Sequence, residues 1–305
     1  MRTLTITLDM DSISEIAQEH RIRIPAEDPL LMYRNPLDRF SQFCEDLGIP
    51  GTLFVISRDV AGLAAEKLNT LAYKGFEIAS HSHSHNPRLS LLQPGEILKE
   101  LRHSKGVLEA VTGRPVVGFR APGYHLSSKL VAELISLGFH YDSSVIPSSS
   151  YYVARALSVL GEKISLKKSH ALLGNPSVVK APRHPYRPAK DPYEGGGDSN
   201  IIELPLSVAT PLGIPVSASM MQKAPPALRQ SVVKSLNEQD NLVLSFEAVD
   251  FVDLQQDSLP DTLVNSLPHL NAPITDRLTG MKSWVGDLLN QRLPLTCSQL
   301  AAQFT

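Results

Sequence analysis

Two cysteines in 305 residues, Cys44 and Cys297, are too few and too far apart for a disulfide framework, a redox pair or a thiolate metal site. They read as structural thiols of a reducing compartment. An excess of either charge is also lacking. Lys and Arg number 29 against 31 Asp and Glu, a formal net charge of −2, which excludes a general nucleic-acid or membrane-surface binder. Long apolar runs are missing: Thr52 to Ile56 and Leu242 to Leu244 are far too short to span a bilayer. No export signal is legible either. Met1-Arg2-Thr3-Leu4-Thr5-Ile6-Thr7-Leu8-Asp9 alternates like a strand and meets an acid where an apolar stretch would continue. A cytoplasmic protein is the expectation. The remainder, 42% hydrophobic and 20% charged, excludes disordered and fibrous classes. Its length suits two ordinary domains or one large barrel.

The first half alternates strand-like and helix-like segments. Leu4 to Leu8, Gly51 to Ser57, Phe76 to Ala79 and Pro115 to Phe119 read as strands. Pro36 to Gly48, Ala61 to Lys74, Glu96 to Val111 and Ser127 to Leu137 read as helices, the last stopped by Gly138. Such alternation predicts an α/β chain with a parallel sheet or a β/α barrel. From Pro147 to Asn200 the rhythm breaks. Ser148-Ser149-Ser150, Lys167-Lys168, prolines 182, 185, 188 and 192, and Gly195-Gly196-Gly197 predict a long irregular insertion. A strand resumes at Ile201 to Pro205. A helix follows over Pro225 to Asn237, a strand over Asn241 to Phe246, and a helix over Asp276 to Leu289. No repeat or linker divides the chain, so residues 1–305 are expected to form a single domain, with an insertion or lid at about 147–200.

The most informative stretch is Ser80-His81-Ser82-His83-Ser84-His85, directly after a predicted strand. Carboxyl ends of strands are where α/β folds place their sites. Imidazoles at i and i+4 converge on one cation when the backbone turns, and those at i and i+2 only in extended chain. A catalytic metal centre commonly adds a carboxylate and keeps a position open for water. The first strand ends in Asp9-Met10-Asp11, whose two acids can divide into a ligand and a base, or simply cap the next helix.

These stretches fall in a fixed order with Gly118-Phe119-Arg120-Ala121-Pro122-Gly123-Tyr124 and Gly138-Phe139-His140-Tyr141-Asp142-Ser143-Ser144. Together they resemble the first four motifs of the polysaccharide deacetylase family (carbohydrate esterase family 4), and the likeness extends over nearly the whole chain. The resemblance implies a distorted (β/α)7 barrel holding one divalent cation, zinc above others. Carried over by position, Asp11, His81 and His85 are its ligands, and His83 is not one. Asp9 is the general base, with Arg120 as its ion-pair partner. Pro122 and Tyr124 bound the oxyanion position through a backbone N–H near Tyr124. An amide is a poor electrophile, and a cation that polarises its carbonyl and lowers the pKa of a water meets that need.

One departure stands out. The family's last motif supplies a histidine after an apolar strand to protonate the departing amine. Here Asn241-Leu242-Val243-Leu244-Ser245-Phe246 is followed by Glu247. Either the protein binds without efficient turnover, or Glu247 is itself the acid, sharing a proton with Asp142, which the family sets beside that histidine. The implied activity is de-N-acetylation of an N-acetylated sugar or glycan precursor. The alternatives are a small-amide hydrolase acting on cyclic or formyl amides and a catalytically impaired sugar-binding homologue. Arg183-His184, Tyr186-Arg187 and Lys190 offer charges to a substrate diphosphate, or form a solvated polar loop.

Overall fold

The computed structural model describes residues 1–24, 28–164, 173–209 and 213–305. Its elements run β1 (Thr3–Met10), α1 (Ile13–Glu19), α2 (Asn35–Leu47), β2 (Gly51–Val55), α3 (Leu63–Tyr73), β3 (Glu77–Ser80), α4 (Pro94–Thr112), β4 (Gly118–Phe119), α5 (Ser128–Ser136) and β5 (Tyr141–Asp142). Then follow α6 (Ser149–Ile164), β6 (Ile202–Glu203), β7 (Val208–Ala209), β8 (Ile214–Pro215), α7 (Ala218–Lys223), α8 (Pro226–Asn237), β9 (Asn241–Glu247), α9 (Asp261–Val264), α10 (Ile274–Leu289), β10 (Leu293–Pro294) and α11 (Cys297–Ala301).

Seven parallel strands curl into a distorted (β/α)7 barrel in the order β9-β1-β2-β3-β4-β5-β6. The short β10 pairs with the start of β1. The seam between the last and first staves is not a ladder. Ser207 crosses it, its amide donating to Val243 O and its hydroxyl accepting from Val243 N, both at 2.9 Å. All eight residues of β1 are buried, because it lies between β2 and β9. Its alternating threonines suit that place: they are β-branched, and Thr7 Oγ1 donates to Leu244 O at 3.0 Å.

Helices cover the outside. α2 buries Leu37, Phe40, Phe43 and Cys44 on one stripe and ends at Gly48, whose φ of 67° is left-handed. Phe40 and Phe43 meet Phe251 edge-on at 5.3 and 5.6 Å. Burying each such ring stabilises the fold by roughly 1.5–3 kcal/mol. Cys44 and Cys297 are free and buried, and burial pushes both thiols up, so neither is nucleophilic near neutral pH.

The insertion differs from the irregular stretch expected of it. Its first part is α6, a sixteen-residue helix. The serine run is a helix start rather than a loop: Ser148 Oγ accepts from Tyr151 N at 2.9 Å. Residues 173–200 are irregular apart from a single-turn helix at Pro176–Lys180. They are pinned to the barrel by the Tyr186–Glu203 bridge and by Tyr193 Oη, which accepts from Leu126 N at 3.0 Å. Lys167 and Lys168 lie outside the described residues.

Candidate metal centre and active site

The histidine-rich turn is built by the serines between its imidazoles. His81 leaves β3 still hydrogen-bonded to β2, its N–H on Val55 O at 2.9 Å. Ser82 and His85 then adopt left-handed backbone angles, φ 67° and 52°. Ser80 Oγ accepts from Ser82 N at 3.2 Å, and Ser82 Oγ from His85 N at 3.0 Å. Those side-chain bonds hold a strained path, and the turn brings the i and i+4 imidazoles together, with ring centroids 4.9 Å apart. His83 points elsewhere, hydrogen-bonded to Ser57 Oγ at 2.9 Å and set edge-on against His103 at 4.1 Å.

Asp11 arrives from the end of β1. Its Oδ1 lies 3.5 Å from both His81 Nε2 and His85 Nε2. One donor atom from each of the three residues falls within 4.8 Å of the others. Two ligands of one tetrahedral zinc stand about 3.3 Å apart at ordinary bond lengths, so the spacing fits. The chemistry of the donors fits too. Asp11 Oδ1 is buried with no hydrogen-bond partner among the described residues. Burial, then Asp9, push the Asp11 carboxyl well up. Burial drives His81 and His85 down, His85 well down with His81 adding to it. The site therefore favours neutral imidazoles, which are the ligand form. His81 Nδ1 is hydrogen-bonded to Arg120 O at 2.8 Å, which turns Nε2 toward Asp11.

Asp9 lies two residues earlier on the same strand and is 1% exposed. Arg120, fully buried, donates to its Oδ1 at 2.5 Å. Tyr124 Oη donates to its Oδ2 at 2.6 Å. The guanidinium is locked in turn by Thr7 Oγ1, Ser245 Oγ, Ser143 O and Ser143 Oγ at 2.8 to 3.0 Å, and it stacks on Phe54 at 4.0 Å. Pro122 starts a one-turn helix that ends at Tyr124, whose φ is 62°. Burial, then Asp9, raise the phenol well up, so it stays a donor. The sequence tied Tyr124 to an oxyanion through its backbone; in the structure its side chain holds Asp9.

Glu247 closes this cluster from β9, directly across the ladder from Asp9. It is half-buried, and its carboxyl caps the turn that follows, accepting from the Asp250 backbone N–H. Burial, then Asp9 and Asp11, push it well up. The expected neighbour is not the one found. Asp142 lies across the ladder from Glu203, and its burial and bonding are shared with Glu203 and Ser144. The charges bearing on Glu247 are Asp9, Asp11, Glu19 and Asp250. Strand order is the reason: β5 and β9 are separated by β6 and the seam.

Two adjoining cavities open over these groups. One, of about 320 Å³, is lined by Asp9, Asp11, His81, His85, Tyr124 and Glu247, with Tyr151 and Arg155 from α6. The other, of about 540 Å³, shares Asp11, Tyr124, Tyr151 and Glu247 and extends to Ser217, Lys223, Asp250 and His269. Sequence reasoning missed α1, Tyr151, Arg155 and His269. The Ser12–Glu15 capping box announced α1; no spacing announced the other three. Two members of the insertion's polar run, Arg187 and Tyr186, are committed elsewhere. Arg187 donates to Ser199 O and Phe304 O at 2.6 and 3.1 Å, and the buried Tyr186 donates to Pro192 O at 2.8 Å.

Residues 32–141 match the family model for polysaccharide deacetylase. That segment holds the histidine turn, Arg120 and Tyr124, and leaves Asp9, Asp11, Asp142 and Glu247 outside it. No curated protein sequence matches. Among solved structures, a Mycobacterium smegmatis protein assigned as a polysaccharide deacetylase is 18% identical, covering 99% of this chain and 90% of its own, with a TM-score of 0.59. The PuuE allantoinase is 12% identical over 99% and 89%, at 0.60. A family 4 pseudoenzyme of Bacillus anthracis is 11% identical over 98% and 65%, at 0.50. At such identities these likenesses concern the fold. The family match thus covers the motif-bearing segment 32–141, and the solved structures share the barrel fold in which that segment sits.

Proposed function

We propose that the chain is a metal-dependent de-N-acetylase acting on an N-acetylated sugar or glycan precursor. One observation carries the reading: the donors of Asp11, His81 and His85 converge beside Asp9, whose two oxygens are held by Arg120 and Tyr124. Those three residues would hold one divalent cation, and their nitrogen-rich set suits zinc. When bound, the cation supplies Lewis acidity toward the amide carbonyl and acidifies water.

The chain's own residues do the rest. Asp9 takes the proton of the attacking water, using a lone pair that its two donors leave free. Arg120 and Tyr124 fix its rotamer and exclude water from its flank. The departing nitrogen needs a proton from the end of β9, and Glu247, with its carboxyl raised, is a donor there. The paired cavities suit a sugar rather than a minimal amide, with Tyr124 and Tyr151 as flat walls and Ser217 as a hydroxyl partner.

A second reading, hydrolysis of a small cyclic amide, is favoured by the fold shared with the allantoinase. Acetate release from N-acetylglucosamine oligomers, compared with ring opening of cyclic ureides by the zinc-loaded protein, separates the two. Release from the sugars that a chelator abolishes is the expected result. Tight binding of the sugars without release would instead make the chain a sugar-binding homologue.

A further inference from the structure

His269 stands apart from every motif in the sequence, yet it lines the same cavity as Asp11 and Glu247. It belongs to the single-turn helix Pro268–Asn271, after α9 and 22 residues beyond the strand end where an imidazole is missing. Its side chain is 9% exposed, and Nε2 lies 3.3 Å from Asp250 Oδ1. That nitrogen is buried and makes no hydrogen bond among the described residues. Asp250 is itself fixed, because its Oδ2 accepts from Glu247 N at 2.9 Å. Arg277 donates to the backbone carbonyls of Asp250 and Val252, which pins the turn from α10. One carboxylate thus joins the end of β9 to an imidazole brought in by another segment.

We propose that His269 is a catalytic residue, a second proton donor to the departing nitrogen, supplying from this loop the imidazole that β9 lacks. The proposal rests on the reading of the chain as an amide hydrolase and names the proton source of that reaction. With Asp250 Oδ1 3.3 Å from Nε2, Nδ1 is the ring nitrogen that serves the departing amine. As the C–N bond of the tetrahedral adduct breaks, its electron pair passes to nitrogen, and nitrogen takes the proton from Nδ1. The products are the amine and the carboxylate, the ring is left neutral, and solvent restores its proton. The charged and titratable groups that line this cavity with the ring are Asp250 and Glu247 from the β9 turn, Asp11 from the end of β1, Glu19 and His20 from the end of α1, and Lys223 from α7.

The test compares the parent with His269→Asn, which can keep a donor toward Asp250 and hence the turn. A general acid matters for a poor leaving group and not for a good one. With zinc loaded, hydrolysis of N-acetylglucosamine oligomers should fall about tenfold in kcat, since Glu247 remains as a donor, with KM little changed. Hydrolysis of 4-nitrophenyl acetate should stay within about twofold, since its phenolate leaves unprotonated. The alkaline limb of the parent's amide pH profile, where a general acid loses its proton, should change in the variant. Equal losses on both substrates, or no loss on either, overturn the proposal. An independent arm needs no turnover. On addition of glucosamine, the imidazole proton resonance absent from His269→Asn should shift in the parent, and an unmoved resonance overturns the assignment. A parent that hydrolyses neither substrate would defeat the amide-hydrolase reading, and the resonance arm then decides His269 alone.

Discussion

Two pairs of acids face each other across neighbouring strands of this barrel, and their fates are opposite. Asp9 and Glu247 are cross-strand partners on β1 and β9. Asp142 and Glu203 are cross-strand partners on β5 and β6. The first pair borders an open cavity, has Arg120 and Tyr124 as donors, and stands beside the convergent metal donors. The second pair is sealed, each residue 0–1% exposed. Its polar partners are each other, Ser144 and the Val145 N–H. Burial, then Asp142, push Glu203 well up, which favours a proton shared within this sealed pair. Placing two carboxyls side by side does not make a catalytic site. The open pair differs in its neighbouring cluster of metal-ligating donors, its donors on both Asp9 oxygens and its cavity.

The largest effect should come from removing the feature that distinguishes the open pair. His81→Ala and His85→Ala should each lose most of the bound zinc, measured by elemental analysis of the purified, folded protein. His83→Ala, whose ring contacts Ser57 and His103 instead, should keep it. Retained metal in both of the first two variants would dissolve the proposed centre.

Next in size is Asp9→Asn. An amide still accepts from Arg120 but cannot take a proton from water, so turnover should fall by about 10²-fold or more with metal content unchanged. Loss of metal from a folded Asp9→Asn protein would make Asp9 a ligand and exchange its role with that of Asp11.

Glu247→Gln should lower acetate release by a smaller factor, about tenfold, because His269 remains as a donor. Glu247→His should raise it above the parent, an imidazole then standing at the strand end beside Asp9. A Glu247→His variant no faster than the parent, on a sugar the parent binds, would remove this position from proton transfer.

The smallest effect belongs to the sealed pair and appears in stability. Both carboxyls are raised in the folded state, chiefly by burial, so the folded protein binds a proton more tightly than the unfolded chain does. That contribution is complete below the ordinary carboxylate range and is lost as pH rises through the raised values. The parent's Tm should therefore decline from mildly acidic toward alkaline pH. Glu203→Gln, which keeps an oxygen for the Val145 N–H and a neutral partner for Asp142, should flatten that decline. A parallel pH dependence in the two proteins would show that the pair is not the titrating element.

Much of the architecture was legible before any coordinates, and the reason is periodicity. Alternating threonines in β1 and the 3.6-residue stripe of α2 are local patterns that burial enforces. So is the end of α2 at Gly48. The Asp-x-Asp and His-x-His-x-His runs were visible because their residues are close in sequence and chemically unusual. The insertion was less legible. Serines that looked like a loop proved to be the cap of α6, since one residue type serves both uses.

The sequence by itself determined the alternation of strands and helices, the histidine run and the absence of an imidazole at the end of β9, because each is written in local stretches. Only the tertiary structure decided which acids meet. Asp142 joins Glu203 and not Glu247, because strand order and register, not motif membership, set the neighbours of a side chain at a strand end. It also brought His269 to Asp250 across a loop that no motif marks. Contacts between distant segments depend on how helices pack over the whole sheet, and a linear pattern carries that information only diffusely.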